Sequence, residues 1–512
     1  MSTFTAEQPT AGQLHAEQES TRRWWVLALI AVAQLMVVLD NTIVNVALPD
    51  AAHALDISTA NQQWAVTAYA LTFGALLLLG GRVADFQGRK RIFIIGMVGF
   101  AAASALGGCA QNAAMLFGAR ALQGVFAALL APAALALLTV TFTEAKERAT
   151  AFAVYGGITA GGAAVGLMLG GVLTEYATWR WCLLVNVPIA VLGSLAAVPL
   201  LRESRAHGDT RYDLVGTVLA VTGTAALVYG FTKAGEDGWS SGQAIALSSG
   251  GAVLLVLFAL TEGRTAHPLL PPRIVVDRNR GGSYLVSLLM GAGILGCFLY
   301  LSFYLQSTLG YSPIRAGAAN LPVSAAVFLA AGLVSRLLVR TGPRLFLASG
   351  AAVSGAGLLL LTRIGVHSHY VAEVLPALIL FGLGLGLTFT TVASTALLGV
   401  ADHDAGVASA TINATQQVGG ALGLALISSF FTREVSNYTA HHTSMDAASL
   451  TAHAQVHGYV IAFAGSSAMI FLAAVIAAVL VRAGRTDLAP GTGPTDKDAP
   501  TSAEPGRATA HR

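Results

Sequence analysis

The chain predicts an all-α polytopic membrane protein of fourteen transmembrane helices, set out as six, two and six. Three observations carry that reading. Of 512 residues, 55% are hydrophobic and only 11% charged, against about 25% charged in soluble domains. Fourteen apolar runs come near or exceed the roughly 20 residues that a helix needs to cross a bilayer. The Lys and Arg residues gather almost wholly on one side of those runs. A net charge of +3 is too small to point to nucleic acid.

The runs follow in order, each bounded by residues that lipid does not solvate. The first, 24–48, stops at Pro49-Asp50, and the second, 61–81, stops at a basic stretch beginning Gly81-Arg82. The third, 91–110, ends at Gln111-Asn112, the fourth, 113–140, at Thr143-Glu144, and the fifth, 149–173, near Glu175. The sixth, 181–201, follows Trp179-Arg180 and ends at Arg202. Runs at 213–233 and 242–262 come next, parted by Glu236-Asp237-Gly238. The last six lie at 283–306, 313–338, 344–362, 371–399, 407–431 and 458–481.

Two longer breaks divide them: the charged stretch 202–212, and 262–282 with its His267-Pro268 and Pro271-Pro272. The expected organisation is a disordered N-terminus (1–22), a six-helix bundle (23–201), hinges with two linking helices (202–282), a second six-helix bundle (283–481) and a disordered tail (482–512). The polar start lacks the basic-then-apolar order of a signal peptide, so the first span is expected to stay uncleaved.

An even number of spans puts both termini on one side. With the termini inside, only Arg180, Lys233, Arg315, Arg363 and Arg433 fall outside and only Arg120 falls within a span. Cytoplasmic loops keep Lys and Arg, so both termini are placed in the cytoplasm of a cell-membrane protein.

Two charges lie well inside spans, Asp40 in the first and Arg120 in the fourth. An ionised side chain at mid-membrane costs about 2.5–3.5 kcal/mol even on the lenient insertion scale. Asp40 precedes Pro49 by about 13 Å of helix, and Arg120 lies at a similar depth on a helix of opposite direction. Desolvation favours the protonated form of a carboxylate, and a nearby guanidinium favours the ionised one. A motion that separates the two residues would capture or release a proton. Asp40 could also attract a cationic substrate, or the two could form a fixed ion pair.

The cytoplasmic stretch Gly81-Arg82-Val83-Ala84-Asp85-Phe86-Gln87-Gly88-Arg89-Lys90-Arg91 has the pattern G-x-x-x-D-x-x-G-R-K. It resembles the loop between the second and third helices of the major facilitator superfamily of transporters. Leu39-Asp40-Asn41-Thr42-Ile43-Val44-Asn45-Val46-Ala47-Leu48-Pro49 is similar to the first-helix signature of that superfamily's fourteen-span drug:proton antiporter branch. Leu116-Phe117-Gly118-Ala119-Arg120-Ala121-Leu122-Gln123-Gly124 resembles its fourth-helix pattern. Trp179-Arg180-Trp181 with Asn186-Val187-Pro188, and Gly406, Asn413, Gln417, Gly419, Gly420 and Gly423, resemble its sixth and thirteenth helices.

The resemblance implies the major-facilitator fold, with two six-helix bundles plus two linking helices. It also implies export of lipophilic, often cationic drugs or antibiotics in exchange for protons. Asp40 and Arg120 would couple protons, and Gly81, Asp85, Gly88, Arg89 and Lys90 would form a cytoplasmic gate loop. Gly162, Gly166, Gly170 and Gly171 would form a fifth-helix gating motif. There Leu167 stands where the branch has Pro, which keeps a same-fold importer or symporter open beside an exporter of an endogenous natural product.

Asn41, Asn45, Gln123, Asn413 and Gln417 are candidates for the cavity wall, or they simply bond neighbouring helices. No G-x-x-x-x-G-K-[ST] phosphate loop is present, so the expected drive is the proton-motive force and no cofactor. The expected partners are a small hydrophobic or cationic substrate, protons and the lipid bilayer, with the chain acting as a monomer and not as an enzyme. Cys109, Cys182 and Cys297 read as small hydrophobes. His441, His442, His453 and His457 crowd one outer loop, but nothing there completes a metal site.

Overall fold

The computed structural model describes residues 11–484 except 59–60, 206–212, 266–267, 271, 401–404 and 443–445. Fourteen helices are long and apolar enough to span a membrane. In chain order they are α1 (Thr21–Ala54), α2 (Trp64–Gln87), α3 (Arg89–Gly108), α4 (Ala113–Thr141), α5 (Thr150–Tyr176), α6 (Trp181–Leu200) and α7 (Leu214–Asp237). There follow α8 (Gly242–Glu262), α9 (Arg278–Thr308), α10 (Pro313–Leu338), α11 (Pro343–Arg363), α12 (Tyr370–Ala396), α13 (Val407–His441) and α14 (Ala447–Leu480).

Three expected boundaries move. The helix carrying α1 begins at Ala11, so residues 11–22 continue it; residues 1–10 and 485–512 of the expected termini lie outside the described residues. Helix α2 continues through the basic stretch to Gln87, and α3 starts at Arg89, with Gly88 alone between them at φ +114°. An L side chain is poorly tolerated at that φ, and Gly is not. Most of the expected outer loop with the histidines is helical, because α13 runs to His441 and α14 starts at Ala447. Hydropathy locates what lipid solvates, and a helix can outrun the bilayer.

Local chemistry accounts for the interruptions. Pro188 lacks the N–H that would bond the Leu184 carbonyl, and the sixth span is split at Val185 into Trp181–Leu184 and Asn186–Leu200. Asn112 starts α4 by accepting from the Met115 N–H at 2.9 Å, and Asp446 starts α14 by accepting from Ser449 at 3.0 Å. The Ser449 bond holds the Asp446 carboxyl below its ordinary range.

The packing pairs of the first six helices recur in the last six. Thus α1 packs on α5 and α9 on α13, α2 on α4 and α10 on α12, α3 on α4 and α11 on α12. Two similarly built bundles result. Helix α7 packs on α8 and touches both bundles, through α2 and α13. Val228 of α7 clusters with Ala70 and Leu71 of α2 and with Ala421 and Ala425 of α13.

The bundles meet at the end away from the termini. There Gly171 lies so close to α10 that a Cβ on it would stand 2.6 Å from Ile314 Cα, and Gly317 is equally tight against the Leu167 carbonyl. Glu175 accepts from the Ile314 N–H at 3.0 Å, and Gln306 donates to the Val46 carbonyl at 3.0 Å. Towards the termini α5 and α10 part. A Cβ on Gly161 would reach only the Phe328 ring at 3.4 Å, and one on Gly157 would meet nothing within 4 Å. Gly157 sits about four turns from Gly171 on nearly the same helix face, so the gap opens along a single interface.

That splay predicts unequal reactivity. In a Cys109→Ser background, cysteine at Gly157 should react with a water-soluble maleimide, while cysteine at Leu167, which is 4% exposed, should stay protected. Mass spectrometry of the labelled protein in nanodiscs checks both.

Candidate functional site

Asp40 and Arg120 meet. Arg120 Nη1 donates to Asp40 Oδ2 at 2.6 Å, and both residues are 0% exposed. Two more donors converge on the other carboxylate oxygen: Gln123 Nε2 at 2.8 Å and Asn186 Nδ2 at 3.0 Å, both to Oδ1. Ser104 accepts from the same two amides at 2.9 and 3.1 Å and donates to the Leu183 carbonyl at 2.9 Å. Arg120 also donates to the Ala65 carbonyl and to Gln123 Oε1, each at 2.9 Å, and its guanidinium lies 4.5 Å above the Tyr69 ring. Charge-assisted bonds and a desolvated cation–π contact each contribute about 1.5–3 and about 2 kcal/mol. Helices α1, α2, α3, α4 and α6 all contribute to this knot.

The knot is not fully closed. Arg120 Nη2, Asn186 Oδ1 and the Tyr69 hydroxyl are buried without a hydrogen-bond partner. Leaving such a group unmet costs about 1–3 kcal/mol.

Gln123, a candidate for the cavity wall, is instead 0% exposed inside the knot. Three residues after Arg120, it shares that residue's helix face and turns into the bundle rather than towards the partner bundle. Gly124 lies against Thr72 and the Tyr69 carbonyl of α2. Gln417 lies where the bundles touch, against Gly74 of α2. Asn413, one turn nearer the termini on the same face of α13, is exposed and donates only to Ser409 of its own helix at 3.2 Å. Asn45 donates to the Asn41 carbonyl at 3.3 Å, and the Asn41 side-chain oxygen is buried and unpartnered.

The fifth-helix glycines seat the helix that carries Asp40. Gly162 faces Val38, Gly166 faces Thr42, and Gly170 faces Ile43, each with no room for a Cβ. The adjoining Gly171 and the Leu167 carbonyl hold α10. One helix therefore grips both the acid-bearing α1 and the opposite bundle.

The gate loop is held mostly within its own bundle. Asp85 accepts twice from Arg89, at 2.9 and 3.0 Å. Glu203 caps α3 by accepting from the Lys90 and Arg91 N–H groups at 3.2 and 3.3 Å, and Lys90 Nζ donates to the Val198 carbonyl at 2.6 Å. Gly81 faces Pro132, and Gly88 lies against the Glu203 carboxylate. Arg82 reaches outwards, donating to the Pro268 carbonyl in the segment that leads to the second bundle, at 2.7 Å.

Sequence reasoning missed Ser104 and Glu203 altogether. Asn186 was visible only as part of the Asn186-Val187-Pro188 string. Among the described residues no group of His, Cys, Asp and Glu could hold a metal. His442 stacks on Tyr438 at 4.0 Å, and His457 lies 3.5 Å from Glu434.

A family model described as Major Facilitator Superfamily matches residues 30–424. The chain is 49% identical over 475 residues to the puromycin resistance protein pur8 of Streptomyces alboniger, covering 92% of this chain and 94% of that one. It is 37% identical to the cephamycin export protein CmcT of Amycolatopsis lactamdurans (90% and 93% covered). It is 34% identical to the multidrug efflux pump LfrA of Mycolicibacterium smegmatis (80% and 81% covered). Among solved structures, a bacterial homologue of the human lysosomal transporter Spinster, crystallised inward-facing and unoccupied, shares the fold. Its TM-score is 0.61 at 15% identity, covering 91% of this chain and 98% of that one.

Removing one partner of a buried ion pair strands the other charge, at a cost of about 3–5 kcal/mol. Arg120→Ala is expected to lower thermal stability in detergent by that order. Arg120→Lys should recover little of it, since an ammonium cannot serve Asp40, Gln123 and Ala65 in one planar fork. Differential scanning fluorimetry of the three proteins checks this.

Proposed function

The chain belongs to the Major Facilitator Superfamily, a family of membrane transporters and not enzymes, and from that premise we propose that it exports antibiotics or other lipophilic, often cationic drugs in exchange for protons. The names of its relatives support the substrate class: puromycin resistance, cephamycin export and multidrug efflux. The family needs no cofactor, and the proton gradient supplies the drive.

The observation that carries the coupling is the position of Asp40. It is buried against Arg120 on a helix that α5 clamps, and α5 also holds α10 across the bundle interface. Protonating Asp40 removes the charge that Arg120 and the two amides stabilise. The guanidinium then lies buried with no anion, which is the costly half of a broken pair, and α1 and α4 gain a reason to separate. Movement of α1 passes through the glycine contacts to the α5–α10 interface. The unmet Arg120 Nη2 and Tyr69 hydroxyl fit a pair that rearranges better than one that only staples helices.

The distribution of positive residues supports cytoplasmic termini. In that orientation the far-side contacts of α5 with α10 form an outer seal, and the parted ends near Gly157 open inwards. Substrate enters there, among Asn413 and the bundle faces, and leaves outwards once the seal parts. The path lies between two bundles of one chain, so a monomer is the working unit.

In inside-out vesicles under an imposed proton gradient, the native protein should accumulate a fluorescent lipophilic cation. Asp40→Asn should reduce accumulation to the level without a gradient while leaving equilibrium binding of the cation measurable by polarisation. Undiminished gradient-driven accumulation by the variant would remove Asp40 from the coupling, and solute-driven proton entry without accumulation would point to import.

A further inference from the structure

The two linking helices carry a second acid site that the transport reading does not use. Asp213 precedes α7 and Glu262 ends α8, on the side of the chain termini, and they are 7% and 5% exposed. One oxygen of each is accounted for. Asp213 Oδ1 accepts from the Gly216 N–H at 2.7 Å, and Glu262 Oε2 accepts from the Leu270 N–H at 3.0 Å. The other two, Asp213 Oδ2 and Glu262 Oε1, are buried with no hydrogen-bond partner. They converge: both approach the spot where a Cβ on Gly216 would stand, at 2.6 and 2.7 Å.

Two carboxylate oxygens are acceptors only, so neither can satisfy the other, and two like charges at such range oppose joint ionisation. Among the described residues neither carboxyl takes part in an ion pair. Arg82, whose guanidinium reaches the linker, is spent on the Pro268 carbonyl, and Arg273 within the linker is exposed. Arg264 is exposed, and Arg211 lies outside the described residues. One hydrogen meets every demand. We propose that Asp213 and Glu262 are a proton-binding site, sharing one hydrogen between their unmet oxygens and thereby fastening the linker at Leu270.

Taking up the proton from the water on that side forms one O–H bond on either carboxyl, which donates to the other and leaves the pair with a single negative charge. Losing it returns the proton to water and leaves two facing anions, which repel and free the Leu270 N–H. The linker held there also receives Arg82 of the gate loop at Pro268. The state of the pair is thus passed to the segment joining α8 to the second bundle. This site is independent of Asp40 and of the direction of transport.

Infrared difference spectra of the full chain in nanodiscs, titrated from acid to alkaline pH, test it. A protonated-carboxyl band that disappears with rising pH is expected in the native protein and in Asp40→Asn. It should be lost in both Asp213→Asn and Glu262→Gln. Labelling of a Leu270→Cys, Cys109→Ser protein, taken as a ratio to the same protein denatured at each pH so that thiolate formation cancels, should quicken with rising pH and lose that dependence when Glu262→Gln is added, since a neutral amide cannot recreate the repulsion. A band unaffected by either substitution would overturn the proposal. So would labelling that responds to sodium or potassium at fixed pH, which would make the occupant a metal cation.

Discussion

A guanidinium and a carboxylate 2.6 Å apart, both withdrawn from solvent, set the terms for the first bundle. Neither could stay charged in lipid alone, so each requires the other, and together they require the amides of Gln123 and Asn186 and the Ala65 carbonyl. Those demands fix the relative placement of α1, α2, α4 and α6 more tightly than apolar packing does, because Leu and Val are as comfortable against lipid as against one another. The polar knot specifies the arrangement, and the apolar residues fill it.

From that knot a mechanical path runs outwards. At Gly162, Gly166 and Gly170 no α5 side chain separates the two helices, so a shift of α1 there is passed on to α5. Close helix approach through small residues transmits displacement because packed interiors yield little. Leu167, standing where a proline is expected, keeps its place in the helix and offers its carbonyl to the close approach of Gly317. The grip on α10 thus depends on backbone proximity and does not need a kink at this position.

Much of this was legible in the chain. The fourteen spans were, because lipid imposes one simple demand on twenty-residue stretches. Asp40 and Arg120 were, because a charge inside such a stretch is costly enough to need a reason. Gln123 stayed undecided between cavity wall and helix-to-helix bond because a polar residue in a span points either to water or to a partner, and only the helix rotation decides; it bonds Asp40 and Ser104. Ser104 gave no signal, since a hydroxyl is cheap in a helix that can bond it back to its own turn. The helical stretches 432–441 at the end of α13 and 447–457 at the start of α14 escaped notice because their residues are largely polar, and polar helices outside the bilayer leave no mark on hydropathy.

The linking hairpin has an asymmetric consequence. Helix α7 wedges against both α2 and α13 with α8 behind it, which plugs one of the two slots that run lengthwise between the bundles. Among the described residues no such cover lies over the other slot, where α5 and α10 diverge towards Gly157. An amphiphile dissolved in the leaflet nearest the termini therefore meets a wall on one flank and a doorway on the other.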